Sequence, residues 1–120
     1  MRVLLVEPDN ALAMTYRQAL SSHNVQIVVH AQDAIHAIDT EIPHLIVLEL
    51  QLVNHGGIEF LHELRSYPEW QHIPVVVLTM VSPRRLTVLN TQLDALGVSA
   101  CLYKPETSLK QLVSIVEDFA

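Results

Sequence analysis

The chain has a single cysteine, Cys101, which excludes a disulfide framework and fits a reducing, cytoplasmic setting. Basic residues are also few: seven Lys and Arg stand against thirteen Asp and Glu, a formal charge of −6. Nucleic-acid backbones are held by clustered Lys and Arg, and the adjacent pair Arg84-Arg85 is too little to make such a face. Long apolar runs are missing, and none approaches the ~20 residues of a membrane span. The amino terminus "MRVLLVEPDN" turns acidic too soon for a secretory leader. With three glycines in all, no glycine-rich phosphate loop follows the first apolar run, which argues against a nucleotide site there. What is present is a chain of 120 residues, half of them apolar, enough to bury a core and expected to form one domain over 1–120.

Short apolar runs recur along it: "VLLVE" (3–7), "VQIVVH" (25–30), "HLIVLE" (44–49), "PVVVLT" (74–79) and "VSACLY" (98–103). The first, third and fourth are nearly continuous in apolar character, as central parallel strands covered on both faces must be. "VQIVVH" is more mixed and suits a position nearer an edge. Helical spacing fills the intervals. Asp9 is placed to cap a helix over 11–21, and Asp33 to begin a second. Gly56-Gly57 opens a third carrying Phe60, Leu61 and Leu64. Ser82-Pro83 starts a fourth, with Leu86, Leu89, Leu93 and Leu96 at spacings of three and four and Gly97 as its stop. Thr107 or Ser108 begins the last, with Leu109, Leu112, Val113 and Val116 predicted inward. The order βαβαβαβαβα specifies a single doubly wound α/β domain with a parallel sheet.

In such a sheet, function gathers at the carboxyl ends of the strands. This sequence places there Glu7-Pro8-Asp9, Glu49, Thr79 and Lys104-Pro105. With "PHLIVLELQL", "GGIEFL", "PVVVLT" and "YKP" in that order, the whole chain resembles the receiver domain of bacterial two-component response regulators. The resemblance implies a flavodoxin-like, five-stranded doubly wound parallel sheet of order 2-1-3-4-5, and a signalling module rather than an enzyme. In the family, an Asp ending the third strand accepts a phosphoryl group from a histidine kinase. Two adjacent acids after the first strand help hold Mg²⁺, and a Thr or Ser and a Lys bind the phosphoryl oxygens. Glu7 matches the first acid, Thr79 and Lys104 the oxygen-binding pair, and Gly57 the glycine opening the third helix.

The departures bear on the chemistry. Glu49 stands at the phospho-acceptor position, and Pro8 at that of the second acid. Val53 replaces a usual Pro. Cys101 replaces the usual aromatic switch residue, and the segment from Thr79 to Gly97 is longer than is common. Phosphoryl transfer rests on positioning and charge neutralisation, much of it by Mg²⁺, which demands near-octahedral oxygen ligands. Pro8 removes a carboxylate and a backbone N–H together. Glu49 moves its carboxylate outward by one C–C bond, ~1.5 Å. The Mg²⁺ site is therefore expected to be lost or weak, with no metal or other cofactor in its place. Asp9 is better suited to capping a helix than to replacing the missing acid. A Lys104–Glu49 pair would either fix an active-like arrangement or merely fill a degenerate pocket.

The seven histidines lack metal-ligand spacing and are expected on surfaces or loops, with His55 near enough to Glu49 to tune the acid pocket. Cys101 is expected half-buried in the last strand, and Tyr67 and Trp70 packed around Pro68 against the third helix. The reading that joins these features is a phosphorylation-independent receiver-like module of bacterial two-component signalling. It would bind a signalling protein, a histidine kinase or an output domain, through the fourth helix, fifth strand and fifth helix. Arg84, Arg85 and Gln92 would set specificity. The same surface would serve a homodimer, and neither nucleic acid nor membrane is expected as a partner. Two alternatives stand beside it: a working receiver that is phosphorylated, and a flavodoxin-like small-ligand binder or enzyme.

Overall fold

The three central strands of this protein each feed two cores, which explains why their apolar runs are continuous. The structure, a computed structural model, describes residues 1–120. Its strands are β1 (Arg2–Val6), β2 (Asn24–Val28), β3 (Leu45–Leu48), β4 (Val75–Thr79) and β5 (Val98–Tyr103), all parallel in the order β2-β1-β3-β4-β5. The helices are α1 (Asn10–Ala19), α2 (Ala31–Thr40), α3 (Gly57–Ser66), α4 (Pro83–Ala95) and α5 (Leu109–Glu117). Because side chains alternate along a strand, Val3, Leu5, Leu45, Val47, Val76 and Leu78 pack with Tyr16 of α1 and with Leu112 and Val116 of α5. The intervening Leu4, Val6, Ile46, Leu48, Val75 and Val77 pack with Ile38 of α2, with Phe60, Leu61 and Leu64 of α3, and with Leu93 of α4. The mixed strand β2 is an edge, as its pattern implies.

Helix starts follow local chemistry. The Asp9 carboxylate accepts the Leu12 N–H at 3.0 Å and caps α1. Ser82 caps α4 with Pro83 at its first position, and Ser108 and Gln111 form a reciprocal capping box on α5. Gly97 ends α4 in the left-handed region, with φ 74°.

The structure departs from two sequence expectations. Helix α2 begins at Ala31 with His30 before it, so Asp33 lies in its first turn, where an acid favours the helix dipole. Leu109 points outward, because the buried face of α5 is set by Leu112 and Val116. Helix α4 rests on the sheet mainly through Leu93 and Leu96. Leu86 and Leu89 are half-buried, and Val88 is 81% exposed.

Candidate functional site

At the carboxyl ends of β1, β3, β4 and β5, an ammonium and two carboxylates meet out of water. The side chains of Glu7, Glu49 and Lys104 are 2%, 3% and 6% exposed. Lys104 Nζ lies 2.6 Å from Glu7 Oε1 and 2.7 Å from Glu49 Oε1. Glu7 Oε2 accepts the Asp9 backbone N–H at 3.0 Å, across Pro8, which has no N–H to offer. Glu49 is bonded more fully. Its Oε1 also accepts the Met80 N–H at 2.9 Å, and its Oε2 accepts the Gln51 N–H at 3.0 Å and the Thr79 hydroxyl. The Thr79 Oγ1 in turn accepts the Val81 N–H at 3.1 Å. Thus Thr79 and Lys104, from two different strand ends, both bind the carboxylate of Glu49.

These contacts decide protonation. Burial pushes the Glu49 carboxyl up, but the hydrogen bonds from Lys104, Thr79, Gln51 and Met80 together outweigh it and hold it below the ordinary glutamate value. Burial pushes the Lys104 ammonium down, and its bonds and charge attraction to Glu49 and Glu7 reverse the sign, leaving it raised. Lys104 is the one cation that faces both carboxyl groups of the cluster.

Gly57 makes the geometry attainable. A Cβ there would lie 2.6 Å from the Leu50 Cα and 3.1 Å from the Glu49 carbonyl oxygen, so only glycine lets α3 start this close to the acid-bearing strand end. The Gly57 N–H donates to the Leu50 carbonyl at 2.9 Å and ties the two together.

Other sequence-selected residues lie outside this cluster. The Asp9 side chain is exposed and spent on the α1 cap, so only its backbone reaches the pocket. His55 does not reach Glu49; it is exposed and sits 3.2 Å from Glu59 Oε2. Cys101 is exposed on β5 rather than half-buried. Val53 is 59% exposed on the β3–α3 loop. Arg84 and Arg85 are exposed at the start of α4, and Gln92 bridges to His62 of α3 at 3.2 Å. Trp70 is buried beside Tyr67, ring centroids 4.6 Å apart.

Sequence reasoning missed the Glu7–Lys104 contact and the backbone donors of Gln51 and Met80. It also missed Arg65, whose guanidinium donates to the carbonyls of Leu96 at 2.8 Å and Trp70 at 3.1 Å and so joins α3 to the end of α4. A half-apolar helix ending in arginine was the only available signal for it.

The sequence model of the response regulator receiver domain matches residues 3–117. The chain belongs to that family. Among curated receivers it is 34% identical over 105 residues to the KDP operon transcriptional regulatory protein KdpE of Escherichia coli, covering 86% of this chain. It is 26% identical over 80 residues, 65% of this chain, to the phosphate regulon regulator PhoB of Rhizobium meliloti. The chain spans 44% and 35% of the lengths of those two relatives. Among solved structures, the signal receiver domain of a putative LuxO repressor protein from Vibrio parahaemolyticus is similar, with a TM-score of 0.86 and 28% identity. That alignment covers 98% of this chain and 88% of the other. In this receiver fold Glu49, Thr79 and Lys104 meet at the carboxyl ends of the strands. No helix of the receiver is long and apolar enough to cross a membrane.

Proposed function

We propose that this receiver domain is a protein-interaction module of two-component signalling whose acid pocket works without phosphorylation. The observation that carries the reading is the occupation of Thr79 and Lys104 by Glu49. The two groups that would receive phosphoryl oxygens are engaged with the protein's own carboxylate. For Glu49 to act as a nucleophile, its attacking oxygen would have to give up lone pairs now shared with two donors, Lys104 and Met80 on Oε1 or Gln51 and Thr79 on Oε2, and its longer side chain misplaces that oxygen.

Magnesium does not fit the donor set. Two carboxylates converge, Pro8 stands where a third would be, and Lys104 already lies between the two that remain. No group of three or more His, Cys, Asp or Glu side chains is arranged to hold a metal ion. A divalent ion would have to displace a hydrogen-bonded ammonium to gain ligands. Four donors on one carboxylate also favour a fixed arrangement over a degenerate pocket, since a loosely held acid would leave some of them unpaired.

The output of such a fixed pocket would be read by a signalling protein, a histidine kinase or an output domain, on the surface of α4, β5 and α5. Exposed Val88 and Cys101 and the Arg84-Arg85 pair lie there. Titration with Mg²⁺ followed by backbone NMR tests the pocket reading: amide shifts at Glu7, Glu49 and Met80 stay flat at millimolar Mg²⁺. Saturable shifts confined to these residues would overturn it.

A further inference from the structure

The outer edge of β2 has a pattern that suits a second copy of itself. The Asn24 N–H donates to the Met1 carbonyl and the Val28 carbonyl accepts the Glu7 N–H, at 2.9 and 3.0 Å. In a parallel ladder alternate residues face the neighbour, so Asn24, Gln26 and Val28 bond to β1. The backbone groups of Val25 and Ile27 therefore point away from the sheet, where no further strand follows β2. No side chain bonds to them either.

Natural edges are usually blunted with lysine, proline, a bulge or an inward charge. The segment "NVQIVV" has no charge, no proline and no glycine, and β2 pairs with β1 in an unbroken register. Val25 and Ile27 are only half-buried against the α1 side, and beside them Met14 of α1 is 47% exposed. On the other face of the strand, Gln26 is exposed.

We propose that two copies of the chain pair antiparallel through β2, about a twofold axis at Gln26, to form one ten-stranded sheet. This register sets Val25 opposite Ile27 of the mate, and Ile27 opposite its Val25, so that the free N–H and C=O groups of these residues satisfy each other. Half-buried β-branched side chains then stack across the junction on the α1 side. On the other face the two Gln26 amides meet, each offering a donor and an acceptor to the other. With no charge on the strand, the twofold brings no like charges together within it. The α4–β5–α5 surface lies at the opposite edge of the sheet and stays open in both copies. The pairing does not depend on the state of the acid pocket.

Sedimentation velocity across a concentration series tests this, together with Gln26→Lys, which sets two ammonium groups opposite each other at an exposed position. The wild-type chain forms a concentration-dependent dimer. Gln26→Lys, with an unchanged circular dichroism spectrum, weakens it by about tenfold or more. A Gln26→Cys variant in a Cys101→Ser background cross-links to a homodimer through the new thiols. A chain that stays monomeric throughout would overturn the proposal. So would a dimer that survives Gln26→Lys but is broken by Val88→Lys on α4.

Discussion

The Lys104 ammonium lies 2.7 Å from the Glu49 carboxylate, with both side chains almost wholly out of solvent. Removing one member of a buried pair leaves the other charged and poorly solvated, typically a cost of about 3–5 kcal/mol. Lys104→Ala leaves two such carboxylates, Glu7 and Glu49, and is expected to cost about that much. Glu49→Gln costs less, because Glu7 still neutralises Lys104. Urea midpoints of both single variants and the double variant measure the coupling. A coupling near zero would mean that the pair contributes nothing to the fold.

The pH dependence follows from the directions of the two shifts. Glu49 has a folded-state pKa below its unfolded value of about 4.3. Its contribution is therefore complete above that value and is lost as pH falls through the depressed folded-state pKa. Lys104 has a raised pKa, so its contribution holds below the ordinary lysine value of about 10.4 and is lost as pH rises through the raised one. Stability should form a plateau between these limbs. Chemical denaturation from acid to neutral pH should show a shallower acid limb for Glu49→Gln than for the wild type.

Gly57 and Gly56 are adjacent and should respond differently. A methyl at Gly57 meets backbone at 2.6 Å, whereas at Gly56 the nearest atom is a flexible Glu59 oxygen at 3.7 Å. Gly57→Ala is expected to cost about 1–3 kcal/mol through overpacking. Gly56→Ala should stay within about 0.5 kcal/mol. Thermal or urea unfolding of the two variants distinguishes them, and the Gly57 variant should also shift the amide resonances of Glu49 and Leu50.

Much of this was legible in the sequence. Continuous apolar runs identify β1, β3 and β4 because each must supply side chains to two cores; alternation of strands and helices leaves few windings, and the strand order comes from the family resemblance. Glu49, Thr79 and Lys104 are found from their places at strand ends. Harder to read were the groups whose role is carried by the backbone: the N–H donors of Gln51 and Met80 leave no trace in side-chain identity. Asp33 misled because an acid suits both the cap and the first turn of a helix. His55 misled because nearness in sequence to Glu49 says nothing of direction, and a loop residue turned toward Glu59 instead. Cys101 lies on an edge strand, where outward and inward positions look alike without a partner strand to compare.

Phosphoryl uptake depends on a well-placed nucleophile and a bound metal acting together, so repairing either alone should achieve little. Glu49→Asp retains the defective metal site beside Pro8. Pro8→Asp improves Mg²⁺ binding but leaves Glu49 misplaced. The double variant, with Glu7, Thr79 and Lys104 in position, should become competent.

Intact-mass spectrometry after incubation with a small phosphodonor and Mg²⁺ distinguishes a pocket that works without phosphorylation from a working phospho-acceptor. The unmodified chain and both single variants should gain no phosphoryl group, while the Pro8→Asp/Glu49→Asp double variant should gain one. Labelling of the unmodified chain at Glu49 would contradict this.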